Sequence, residues 1–168
     1  MKKLLVLALV CGIASLATAG MQIVPGLEYD IVGDTVTISA TSPVIAFSLA
    51  ILSPDAGTLT PVSQGLAAGG IGSAPADLGL TTYPAGAIAF ASGTTGSATG
   101  KLGVIYSFTF SPEVQMISIL NDTEWGAANS DVTFQGGETV SLAGIQIVPE
   151  PATLALLGLG ALVLRRKK

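Results

Sequence analysis

The middle of this chain is a succession of segments in which apolar and polar side chains alternate. Thr35-Val36-Thr37-Ile38-Ser39-Ala40 switches character at every residue, as a strand with one buried and one wet face requires. Ile45, Phe47, Leu49 and Ile51 alternate with smaller residues in the next segment. Leu102, Val104, Tyr106, Phe108 and Phe110 repeat the pattern, and Val114 to Leu120 and Val132 to Phe134 look alike. Gln135-Gly136-Gly137-Glu138 follows, a two-glycine turn suited to a tight hairpin because glycine tolerates positive φ. Thr139 to Val148 reads as the returning strand. Pro, Gly, Asp and Ser punctuate these segments, and no central stretch has a helical period. Many short strands separated by turns predict an all-β protein, a single sandwich.

Two stretches resist this pattern. Gln64 to Pro84 is rich in Gly and Ala around Gly69-Gly70-Ile71-Gly72, and reads as a long loop or a short helix near residues 74–79. Its glycines do not make a phosphate loop, because no Gly-Lys-Ser/Thr follows and no strand-to-helix unit surrounds them. Ala91 to Gly100 reads as a flexible connection.

The ends of the chain have a different texture. Lys2 and Lys3 precede an apolar run from Leu4 to Leu16, followed by Ala17-Thr18-Ala19 and Gly20. A charged start, an apolar middle and an Ala-x-Ala exit predict a signal peptide for the general secretory route, residues 1–19, cut between Ala19 and Gly20. The cut removes Cys11, so the mature chain lacks thiol chemistry and disulfides. At the other end, Thr153 to Leu164 is an unbroken uncharged, largely apolar run that ends in Arg165, Arg166, Lys167 and Lys168. As a helix this run measures about 18 Å, short of the roughly 30 Å hydrocarbon core. The basic cluster favours the cytoplasmic side, so the tail predicts a transient inner-membrane anchor. Pro149 and Pro151 oppose helix and push Glu150 toward an extended conformation that a processing enzyme can grip.

Pro149-Glu150-Pro151, the apolar segment and the basic cluster together resemble the PEP-CTERM protein-sorting signal. That resemblance implies recognition by an exosortase, a membrane-embedded, cysteine-protease-like enzyme of Gram-negative bacteria. It further implies removal of the tail and delivery to the cell surface or exopolysaccharide matrix. The same features also suit an anchor that is never cut.

Setting the ends aside changes the charge. Residues 20–148 hold ten acids against one base, Lys101, for a net charge near −9. Such a surface repels nucleic acid and favours solubility. The chain has no histidine, which removes the usual imidazole base, the Ser-His-Asp triad and histidine metal ligands. A Ser-Lys pair would have to use Lys101, which reads as a solvated strand-end lysine. Close pairs among ten carboxylates arise by chance, so a glycan hydrolase is not indicated by them. The segment from Asn121 to Asp131 gathers Asp122, Glu124 and Trp125, the only tryptophan. Oxygen ligands of this kind suit calcium, although the spacing is not that of an EF-hand loop, and no cofactor is required. Trp125 either stacks on a sugar or partner or caps the core beneath a polar loop.

A second resemblance covers most of residues 26–148. Val32-Gly33-Asp34-Thr35-Val36-Thr37-Ile38 resembles the opening strand of a cohesin domain, and Ile45-Ala46-Phe47-Ser48-Leu49 its second strand. Ala87 to Gly93, Thr99 to Leu102 and Ser130 to Phe134 follow the cohesin order. The aspartate-proline pair usual after the second strand stands reversed here, as Pro54-Asp55. The resemblance implies a jelly-roll sandwich of the carbohydrate-binding-like kind and a role in holding dockerin-type partner modules. The resulting expectation is a non-enzymatic secreted protein of the envelope or matrix that binds polysaccharide or a dockerin-type module. The alternative is a structural biofilm component without a discrete ligand.

Overall fold

The computed structural model describes residues 21–54, 57–73, 86–120 and 130–148. They form eleven strands and no helix: β1 (Met21–Val24), β2 (Leu27–Val32), β3 (Thr35–Leu52), β4 (Leu59–Gln64), β5 (Ala68–Gly72), β6 (Ile88–Thr94), β7 (Lys101–Phe110), β8 (Ile117–Ile119), β9 (Asp131–Phe134), β10 (Thr139–Ser141) and β11 (Gln146–Ile147). All pairings are antiparallel and connect the strands into one sheet. The short C-terminal hydrophobic helix expected over Thr153 to Leu164 lies outside the described residues. Among those described, no helix is long and apolar enough to cross a membrane.

β3 organises the sheet. Its first half pairs with β2 on one side and β7 on the other, from Thr35 to Ala40. Its second half pairs with β6 over Ala46 to Leu52, and with β9 and then β8 on the opposite side. At 18 residues it exceeds the usual length of a strand, roughly 3–10 residues. Two strands were expected here, separated at Thr41-Ser42-Pro43, and the structure joins them into one. The reason lies in the hand-over between neighbours. The amides of Thr41 and Ser42 both donate to the Gly26 carbonyl, at 2.9 and 3.1 Å. The registers with β7 and β9 slip on either side of Val44. Pro43 has no N–H to give to a ladder, and it sits where one ladder ends and the next begins.

The core follows from register. On the first half of the sheet, the paired row Tyr29, Ile38, Tyr106 faces inward, as does the row Ile31, Val36, Phe108. Val36, Ile38, Tyr106 and Phe108 are fully buried. Leu49, Ile51, Ala89 and Ala91 from the second half belong to the same buried cluster, with Val132, Phe134 and Ile147. A bulge in β7 shapes one part of this core. Ile38 pairs with Tyr106 and Ser39 with Val104, so Ile105 is the extra residue. Ile105 and Tyr106 are therefore both buried, while Leu102 and Val104, which alternate with them in sequence, are 57% and 43% exposed. The second half of β3 is apolar on both faces. Ala50, Leu52, Ala87, Ile88 and Leu120 form a second buried cluster, against which Phe90 packs.

Four further expectations need correction. The glycine-rich stretch Ala68–Gly72 is strand β5, because the backbone of β6 supplies the ladder that its own side chains do not predict. Ala91 to Thr94 belongs to β6 and not to a connection. Of Val114 to Leu120, only Ile117–Ile119 is strand. The returning strand is two strands, since β10 pairs with β9 whereas β11 pairs with β8. Between them the Gly144 amide donates to the Ile119 carbonyl at 3.0 Å. The two-glycine hairpin is present: Gly136 and Gly137 have φ of 107° and 88°, and Thr139 pairs with Thr133.

Tyr106 carries a testable cost. Its ring packs on Phe108 with centroids 5.5 Å apart, but its buried hydroxyl has no hydrogen-bond partner. An unsatisfied buried hydroxyl costs about 1–3 kcal/mol. Tyr106→Phe is therefore expected to stabilise the protein by about 1 kcal/mol in urea melts. Burial also pushes the phenol's pKa well above its ordinary value, which is about 10. Above that pH the unfolded chain releases this proton while the folded one keeps it, so stability falls as pH rises. The gain from Tyr106→Phe is expected to widen above about pH 10, and a gain that shrinks there would contradict this account.

Candidate functional site

The candidate residues of the termini and of the acidic segment lie outside the described residues. These are Ala17, Ala19 and Gly20 at the expected signal-peptide cut, Asp122, Glu124 and Trp125 in the acidic segment, Pro149, Glu150 and Pro151 in the sorting motif, and Arg165, Arg166, Lys167 and Lys168 in the basic tail. What the structure supplies is the ground from which the internal segments depart. Leu120 and Ser130, the two flanks of the acidic segment, meet at one residue of β3. The Leu120 amide donates to the Ala50 carbonyl at 2.9 Å, and the Ala50 amide donates to the Ser130 hydroxyl at 3.3 Å. Both flanks are buried. The segment of Asp122, Glu124 and Trp125 thus leaves and rejoins the sheet beside Ala50, near the C-terminal end of β3.

The other internal segments start from the same region. Ser53, two residues before residues 55–56, donates its amide to the Ala87 carbonyl at 2.8 Å. Ala87 follows residues 74–85 closely and belongs to the second buried cluster with Ala50, Leu52 and Leu120. Gly72, on the other flank of residues 74–85, lies against the Phe90 ring. Residues far apart in sequence therefore bring the flanks of three connections to one end of the sheet, where loops commonly carry function. Sequence reasoning found the acidic segment by its composition. It missed that the Gly/Ala-rich stretch shares its base, because that proximity depends on β3 pairing with both β6 and β8.

A second surface is a flat polar face. Opposite the core, Val32, Thr35, Thr109 and Thr60 are aligned across β2, β3, β7 and β4. The next row holds Asp30, Thr37, Ser107 and Ser63, and the Ser63 and Ser107 hydroxyls are 2.7 Å apart. Glu28 pairs with Ser39 in the row beyond. Neighbours within a row stand at the inter-strand spacing of about 4.8 Å, and successive rows lie two residues, about 6.6 Å, apart along each strand, so the face presents hydroxyls and carboxylates at a regular repeat. The alternation of Thr35 to Ser39 announced one column of it. The columns from β4 and β7 are set by register.

The remaining chemistry is modest. Lys101 is exposed and its amine donates to the Gly65 carbonyl, so it is engaged with backbone rather than with a serine. The Gly69 to Gly72 cluster is sheet. Among the described residues no three His, Cys, Asp or Glu side chains group to hold a metal ion. The exposed Glu113 carboxyl is held below its usual pKa, first by the Ser111 hydroxyl and then by its own backbone amide.

No curated protein and no solved structure matches this chain. A family model does match its tail: residues 148–168 fit the PEP-CTERM protein-sorting motif. The match begins at Val148 and takes in Pro149-Glu150-Pro151, the apolar run and the basic cluster. The chain thus carries a PEP-CTERM protein-sorting motif, which implies processing by an exosortase-type enzyme and export to the surface of a Gram-negative cell with transient membrane anchoring.

Proposed function

We propose that this protein is a surface-sorted β-domain that acts by binding or assembly in the envelope or exopolysaccharide matrix, without catalysing a reaction. The sorting motif at residues 148–168 carries this placement. On this reading residues 1–19 are a signal peptide for the general secretory route. Residues 20–148 are the exported domain. Residues 149–168 are the sorting tail, whose Thr153 to Leu164 segment sits in the inner membrane until the exosortase-type enzyme acts.

The finer fold in this proposal is a cohesin-like, carbohydrate-binding-like sandwich of jelly-roll type. In its favour, the two halves of β3 have different neighbours while their inward side chains share one buried cluster. The target is polysaccharide, in preference to a dockerin-type module. The aligned hydroxyls and carboxylates of Thr35, Thr37, Asp30, Thr60 and Thr109 support that choice, since sugar hydroxyls are recognised by groups that both donate and accept hydrogen bonds. Their repeat along the sheet suits a repeating ligand.

Co-sedimentation of the full chain with exopolysaccharide from an exosortase-bearing host tests the proposal. Saturable binding is expected, weakened about tenfold, or about 1.4 kcal/mol, by Thr35→Arg combined with Thr60→Arg. Binding that survives both substitutions would remove the polar face from the proposal. A complete lack of binding would remove polysaccharide as the target.

A further inference from the structure

The fold guards its sheet edges unevenly. β1 is four residues long, and its register with β2 slips between Gln22 and Val24. β4 contains Pro61 and a register shift between Pro61 and Ser63. β10 and β11 are three and two residues long. Short strands, bulges and prolines all discourage another chain from adding to an edge.

β5, five residues long, has neither a proline nor a register shift. Among the described residues it pairs only with β6, in unbroken register from Ala68 opposite Thr94 to Gly72 opposite Phe90. Ala68, Gly69, Gly70 and Ile71 are all exposed. The strand has no proline, and no charged residue occurs anywhere between Asp55 and Asp77. That neutrality matters in a domain of net charge near −9, because two copies repel one another over most of their acidic surface. The three glycines leave the strand almost without side chains, so a second backbone can approach closely.

We infer that β5 is a self-docking edge on which a second copy of this chain adds its own β5, antiparallel, about a two-fold axis at Gly70. Edge addition of this kind draws its affinity from main-chain hydrogen bonds, and an isologous contact asks only that one surface fit itself. With the axis at Gly70, each Ile71 lies opposite Gly69. Ile71 is 42% exposed in the single chain, and the pairing covers it. The contact does not depend on whether the sorting tail is cut or on any polysaccharide ligand.

Gly70 gives a clean test. A Cβ added there meets nothing within 4 Å, and its φ is outside the left-handed region, so substitutions at this position leave the fold intact. Sedimentation equilibrium of the full chain, from micromolar concentrations upward, is expected to show a monomer–dimer equilibrium. Gly70→Lys is expected to weaken the dimer at least about tenfold through like-charge contact at the axis. Under mild oxidation, Gly70→Cys is expected to yield far more disulfide-linked dimer than Val32→Cys, which alters a residue 71% exposed at the far end of β2. A wild-type chain that stays monomeric overturns the inference, as does a Gly70→Lys dimer of undiminished affinity. Equal cross-linking of the two cysteine variants overturns it as well.

Discussion

A chain in which Pro149, Glu150 and Pro151 are all replaced by alanine is expected to remain in the inner membrane with its tail uncut. The family match over residues 148–168 places these three residues in the sorting motif. Two prolines around a glutamate disfavour helix, and alanine is the strongest helix former. The replacement therefore removes the bar to helix ahead of the apolar run from Thr153, and it deletes the one acid of the tail, Glu150. The measurement is intact mass of the exported protein, paired with fractionation, in a host that carries an exosortase. Wild type is expected at the cell surface, shortened by the basic cluster of Arg165, Arg166, Lys167 and Lys168. The triple variant is expected in the membrane fraction at the mass of the uncut tail. Surface-exposed wild type that still contains its last four residues would show that this tail is a permanent anchor.

A large stability effect is expected at Gly65. The residue follows β4, and its amide donates to the Ile105 carbonyl at 2.8 Å. A Cβ at this position would stand 1.9 Å from the Val104 carbonyl oxygen and 2.8 Å from its carbon. Both obstacles are backbone, so relief requires β4 and β7 to separate where they pair near Tyr106 and Gln64. Gly65→Ala is accordingly expected to cost about 3 kcal/mol, at the upper end of ordinary overpacking. That is a large share of the roughly 5–15 kcal/mol available to a domain. Gly70→Ala, with open space around its Cβ, is expected to change stability by less than about 0.5 kcal/mol. Thermal or urea melts of the pair decide the matter, and equal stabilities would mean that β4 and β7 yield more easily than their contacts suggest.

Much of the candidate chemistry was legible without coordinates because it is linear. Pro-Glu-Pro, an apolar run and four cations stand in order along the tail, and an enzyme that reads such an order reads sequence. The strand from Thr35 was legible for a related reason. Its first half buries one face, and period-two alternation records that directly. The Gln135 to Glu138 hairpin was legible because only glycine takes positive φ without penalty.

The parts that were not legible depend on partners remote in sequence. Ala68–Gly72 has no side-chain pattern and becomes a strand only because β6 offers it a ladder. Leu102 and Val104 look like core and are exposed because one extra residue, Ile105, shifts the register. The common base of the connections on Ala50 and Ala87, and the polar rows from Thr60 to Asp30, exist only once β3 has found its neighbours. Composition and local pattern by themselves determined that the chain is β-rich, acidic, free of histidine and tagged for sorting, since each property belongs to residues taken singly or in short runs. The tertiary structure alone decided which strands pair, which connections share a base and which edge is unpaired among the described residues, because backbone hydrogen bonding between strands is blind to side-chain identity and is selected by the packing of the whole sheet.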